Sequence, residues 1–173
     1  MNKVLLCGLL ALLFSCSSTY PNKVVIGEIL PSFTGKTLSR EKVRFPDLIK
    51  GKPSLLLIGY KQNSQFDIDR WLIGLEMMNI TFPVFEIPVL APWFPTFLQK
   101  KIDSGMRSGI PNQLWKQVVT VYEDANVVKK FVGNENPLNA RVLLIDKDGR
   151  ILIQFDNGFS VPSLKQIRSF QKK

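Results

Sequence analysis

The residue types best suited to nucleophilic, redox and soft-metal chemistry are almost missing from this chain: it has no histidine, and its two cysteines, Cys7 and Cys16, both sit at the amino terminus. Few other side chains are placed to react. Ser64 stands at the expected start of a helix, but a serine needs an adjacent base to become a nucleophile, and none is recognisable. Asp67 and Asp69 are two apart, so on a helix they diverge, and Asp67 suits the positive end of the helix rather than a paired acid and base. Asp146 and Asp148 precede Gly149 as turn residues do. A calcium loop would need further oxygen ligands and a later glutamate at fixed spacing. No metal site and no cofactor is expected, and catalysis is not.

Arg107 is the residue to test first for binding. It lies between Gly105 and Gly109, whose freedom of backbone angle would let a loop present the guanidinium to a carboxylate or phosphate. Its competing role is internal, as an ion pair or a cap on backbone carbonyls. Anion binding through Arg107, or catalysis through Ser64, is the alternative to a purely protein-binding function.

The amino terminus accounts for the cysteines. Lys3 is followed by an apolar run over residues 4–14, and Leu13, Phe14, Ser15 and Cys16 resemble the lipobox of bacterial lipoproteins. The run is far shorter than the ~20 apolar residues needed to span a bilayer. We therefore expect residues 1–15 to be a signal peptide and Cys16 to carry the lipid, its thiol consumed in a thioether and its amine acylated, with palmitate-type chains. Residues 16–23 form a polar, lipidated tether and residues 24–173 a single domain. The expected location is the bacterial cell envelope, lipid-anchored, on the periplasmic or outer surface.

The chain has 23 Lys and Arg against 14 Asp and Glu, a net charge of +9. The basic residues form no long block and no nucleic-acid motif, so anionic neighbours in the envelope are expected and nucleic acid is not. Residues 71–99 contain no Lys or Arg at all. Within them, Ala91, Pro92, Trp93, Phe94, Pro95, Thr96 and Phe97 are too broken by proline for a central strand. Trp93 and Phe94 are either an exposed anchor for a partner or membrane interface, or aromatics packed back on the domain.

The elements that must position these residues alternate. Residues 54–60 read as a strand buried on both faces. Residues 67–78 place Ile68, Trp71, Leu72, Leu75 and Met78 at helical spacing. Residues 84–90 form a strand that Pro88 ends, bends or confines to an edge. A weaker helix follows over 97–106, then a strand over 118–122 and a short helix from Asp124 to Phe131 closed by Gly133. Strands over 141–146 and 150–155 flank a Lys-Asp-Gly hairpin turn. A last helix covers 163–170.

This order resembles a thioredoxin-like fold: an α/β, three-layer arrangement with a central mixed β-sheet flanked by helices. Thioredoxin-like redox proteins carry Cys-x-x-Cys where the first central strand meets its helix, because the helix amino terminus lowers a thiol pKa. Here that stretch is Tyr60, Lys61, Gln62, Asn63, Ser64 and Gln65. The cis-proline of those proteins is likewise replaced, by Asn139, Ala140 and Arg141 before Val142. More closely, residues 105–111, 118–122 and 142–151, with the opening 27–33, resemble the family of the mitochondrial ATP synthase assembly factor Ten, which includes bacterial members. The resemblance implies a binding or assembly role for a membrane-protein complex, here a partner in the envelope, rather than catalysis.

Overall fold

The computed structural model describes residues 19–171; the expected signal segment and Cys16 lie outside them. The centre is β3 (Ser54–Gly59), all six residues of which are buried. It pairs in parallel with β4 (Val84–Pro88) and antiparallel with β6 (Arg141–Ile145), and β6 pairs with β7 (Ile151–Phe155), giving a mixed sheet in the order β4-β3-β6-β7. An antiparallel sheet, β2-β1-β5, joins β1 (Phe33–Thr37), β2 (Lys42–Phe45) and β5 (Val119–Thr120). Parallel bridges from Glu86 to Val118 and from Val89 to Val121 knit the two sheets together.

Alternation along the strands makes two cores. Leu55, Leu57, Val142 and Leu144 face α1 (Gln65–Met77) and α4 (Val161–Gln171), which contribute Ile68, Trp71, Leu75, Leu164 and Ile167. Leu56, Ile58, Leu143 and Ile145 face Phe33, Phe45 and α3 (Ala125–Val132). Each fully buried aliphatic or aromatic side chain stabilises the fold by ~1.5–3 kcal/mol relative to exposure. Trp71 is the largest, stacked on Phe155 at 5.7 Å and edge-on to Phe159 at 5.5 Å. The layers are thus helices, mixed sheet, and a second side built from α3 and the β1–β2 hairpin.

The turns follow their residues. Gly149 has φ +89, and the Asp146 carboxylate accepts the N–H groups of Asp148 and Arg150, both at 2.9 Å. Gly133 closes α3 at φ +79, as expected. Asp124, at the start of α3, instead turns its carboxylate to the N–H and hydroxyl of Thr34, both 2.7 Å away, holding β1.

One element had no expectation, and two expectations need correction. The β1–β2 hairpin did not register in the sequence, because its strands are four or five residues long and its turn uses Arg40 at φ +73. The helix expected over 97–106 is α2 (Thr96–Gly109), so Gly105, Arg107 and Gly109 belong to a helix and not to a loop of unusual angles. And from Tyr20 onward the expected tether is held on the domain: Tyr20 and Asn134 exchange hydrogen bonds at 2.7 and 3.0 Å, and Asn22 does the same with Glu135 at 2.9 and 3.1 Å.

Candidate functional site

The carboxyl end of β3, the start of α1 and the start of β6 converge on one corner. A short 3-10 turn (Gln62–Ser64) leads into α1. Ser64 is buried, its Oγ donates to the Lys61 carbonyl at 2.6 Å, and it presses so closely on Gly59 that a Cβ there would sit 2.6 Å from the same Oγ. This hydroxyl serves the turn, its proton committed to the Lys61 carbonyl. Asp67, which the sequence assigns to the helix start, is buried and does more. Its carboxylate accepts Ala140 N–H at 2.9 Å and Phe159 N–H at 2.8 Å, tying α1 to the entrances of β6 and α4.

Arg141, which the sequence offered as the start of a strand and as part of the stretch replacing the cis-proline, fills the corner. It is fully buried. Its Nη2 donates to Asn22 Oδ1 at 2.6 Å, Nη1 reaches the carbonyls of Asn136 and Asp156 at 3.5 and 3.4 Å, and Nε has no partner among the described residues. The guanidinium also lies 5.9 Å from the Tyr60 ring, whose hydroxyl donates to Gly133 O at 2.8 Å. Burial pushes the Tyr60 pKa well up, only partly opposed by the Arg141 charge, so this hydroxyl stays a donor. Where redox members of the fold class expose a dithiol, this chain packs a cation, a phenol and its own amino-terminal segment.

Exposed apolar side chains stand on α1 and on the segment that follows β4. Because β3 and β4 are parallel, the segment after β4 emerges at the same sheet edge as the start of α1, and Gln65 Nε2 bonds Glu86 Oε2 at 3.3 Å across the gap. Trp93 is 65% exposed and Phe97 73%. Phe94 is half-buried, edge-on to Trp93 at 4.8 Å, and its carbonyl takes Gln99 Nε2 at 2.8 Å. Helix α1 adds Phe66, Ile73 and Met77, exposed at 68%, 58% and 79%. Their spacing of seven and four puts them on one outward stripe, opposite the buried Ile68, Trp71 and Leu75. Sequence reasoning singled out Trp93 and Phe94, of which Trp93 is exposed and Phe94 half-buried, and read the apolar residues of α1 as core alone.

Arg107 lies apart from this surface. In α2 its Nε donates to Leu38 O at 2.7 Å and its guanidinium stands 6.0 Å from the Trp115 ring. Of the two roles open to it, the contact seen is a carbonyl cap, fixing α2 to the end of β1.

Comparison with known proteins bears on this geometry. A family model described as ATP10 protein matches residues 26–152. No curated protein matches. Among solved structures, a thiol peroxidase from Chromobacterium violaceum superposes with TM-score 0.60 at 12% identity, over 90% of this chain and 91% of that one. Yeast Sco1 with copper bound gives 0.58 at 13%, over 87% and 95%. A SCO1/SenC family lipoprotein from Bacillus anthracis str. Ames gives 0.58 at 10%, over 88% and 98%. These likenesses establish the thioredoxin-like fold.

Proposed function

Because the chain belongs to the ATP10 protein family, we propose that it is a membrane-anchored, non-catalytic assembly factor that binds a membrane-protein complex of the bacterial cell envelope. The observation that carries this reading is the closed corner. Ser64 and Arg141 occupy it through internal hydrogen bonds, and none of the described residues is a cysteine or histidine. Action then falls to surfaces, and the aromatic edge formed by Trp93, Phe97 and Phe66 is the one whose exposure resembles a docking patch.

The anchor in this proposal is acylated Cys16, at the envelope membrane. Tyr20 is already fixed on the domain, and the four intervening steps reach at most ~14 Å when extended. The corner around Asn22 and Arg141 is then held near the bilayer, which presents the domain to membrane-embedded partners in a restricted orientation.

The test is crosslinking and affinity capture of the natively acylated protein. A membrane-complex subunit should be recovered repeatedly, and Trp93→Ala with Phe94→Ala should reduce that recovery by about tenfold or more, since interface aromatics of this kind contribute ~2 kcal/mol each on truncation. Unchanged recovery by a folded double variant would remove the aromatic edge from the proposal.

A further inference from the structure

The β1–β2 hairpin and α2 form the walls of an open cleft of about 330 Å³. Its chemistry is not that of the aromatic edge. Lys36 and Lys42 are direct partners across the β1–β2 ladder, so both ammonium groups project from one face. Like charges placed directly opposite destabilise an antiparallel pair. Lys100, from α2, lines the same cleft. None of the three lies within 4.0 Å of a carboxylate; among the described residues the one ion pair joins Lys116 to Glu41.

Two acids share the lining: Asp103 is buried and accepts the Tyr122 hydroxyl at 2.9 Å, and Glu123 makes no ion pair among the described residues, so three lysines against two carboxylates leave the cleft one positive charge in excess. Thr96, the first residue of the fourteen-residue α2, also lines the cleft, so the positive end of that helix opens on it, and no side chain caps its first turn. Lysines act as compact point charges, unlike the planar fork with which arginine grips a carboxylate. Three of them lining one small cleft, beside the hydroxyls of Thr34, Thr96 and Thr120, suit a compact oxyanion.

We propose that this cleft, between the Lys36–Lys42 wall and Lys100, is a binding site for a phosphate group, supplied either by a soluble phosphate ester or by a phospholipid headgroup. It is independent of the assembly reading and of the aromatic edge. It also relocates the anion chemistry that the sequence suggested for Arg107, whose Nε is committed to Leu38 O.

The test is amine labelling of the full chain in micelles of a phosphate-free maltoside detergent, with the rate at each lysine read by mass spectrometry. One arm adds inorganic phosphate or glycerol 3-phosphate; the other adds phosphatidylglycerol to the micelles. In at least one arm, labelling of Lys36, Lys42 and Lys100 should slow by about tenfold, equivalent to ~1.4 kcal/mol, while Lys50 and Lys165 are unaffected. Protection in the first arm alone assigns a soluble ester and in the second alone a headgroup. In the Lys36→Gln, Lys42→Gln double variant, protection of Lys100 should be lost. The proposal fails if neither arm protects, if Lys50 and Lys165 are slowed equally, or if Lys100 stays protected in the double variant.

Discussion

Replacing Asn22 by alanine removes the short hydrogen bond to a guanidinium that has no exposure to water. Arg141 is 0% exposed and its other contacts, at 3.4 and 3.5 Å, lie at the limit of hydrogen-bond length, with Nε unpaired. A hydrogen bond to a charged group contributes ~1.5–3 kcal/mol, and Glu135 N–H loses its acceptor in the same step for about 1 kcal/mol more. Asn22→Ala should therefore cost about 3 kcal/mol. Arg141→Met should cost far less than an ordinary buried truncation, because the lost bond is offset by removing a desolvated cation that has no carboxylate partner among the described residues. In the Arg141→Met background, Asn22→Ala should cost only about 1 kcal/mol, leaving a coupling of about 2 kcal/mol. Urea unfolding of the four proteins, followed by tryptophan fluorescence, measures it, and Asn22→Ala alone should lower Tm by roughly 10 °C. A coupling below ~0.5 kcal/mol, the usual scatter for independent sites, would refute the claim that this pair locks the corner.

Gly133→Ala should destabilise by at least ~2 kcal/mol, because φ is +79 and an added Cβ would run into Pro21 O and Asn22; limited proteolysis should then cut residues 20–23 before the rest of the domain. Glu86 supplies a pH test. Burial holds its carboxyl above the ordinary 4.5, Asp69 adds to the rise, and the Gln65 hydrogen bond opposes it. A raised carboxyl pKa favours the folded state fully below the ordinary value, and that advantage is lost as pH rises through the folded value. Glu86→Gln should thus be more stable than wild type at neutral pH, with the gap closing towards about pH 4 in thermal melts. A gap independent of pH would show that Glu86 is not the group responsible.

What the sequence made legible was local. The apolar run over 54–60, the helix from Asp124 closed by Gly133, and the Asp146–Gly149 turn each carry their signal within a dozen residues, and each stands as read. The misses depend on distant partners. Gly105 and Gly109 suggest a loop, yet α2 continues through them because Tyr122 bonds Asp103 and Leu38 O accepts Arg107, contacts that offset the ~1 kcal/mol that each helical glycine costs. Arg141 meets Asn22 across a separation of 119 residues, so nothing beside it in sequence announces its burial. A clue did exist: an arginine opening an otherwise wholly apolar strand must either reach solvent or find internal acceptors. The outward stripe of α1 was hidden by its inward one, since both follow the same helical period.

The magnitudes also bear on why an anchor and a docking edge would occur in one chain. Trp93, Phe97 and Phe66 are each about two-thirds exposed or more. Full burial of such a side chain contributes ~1.5–3 kcal/mol, so a partner covering the exposed two-thirds of all three would gain roughly 3–6 kcal/mol. Association in solution costs an estimated 4–15 kcal/mol in lost translational and rotational freedom. The aromatic edge alone therefore supports only weak capture from free solution. On the proposed reading, confinement to the membrane of the partner removes part of that cost, and an anchor at Cys16 with Tyr20 fixed against Asn134 would also restrict the orientation in which the apolar surface is offered. On the proposed reading the closed corner serves that geometry: the Asn22–Arg141 bond that takes the place of redox chemistry also fixes where the anchored end of the chain leaves the fold.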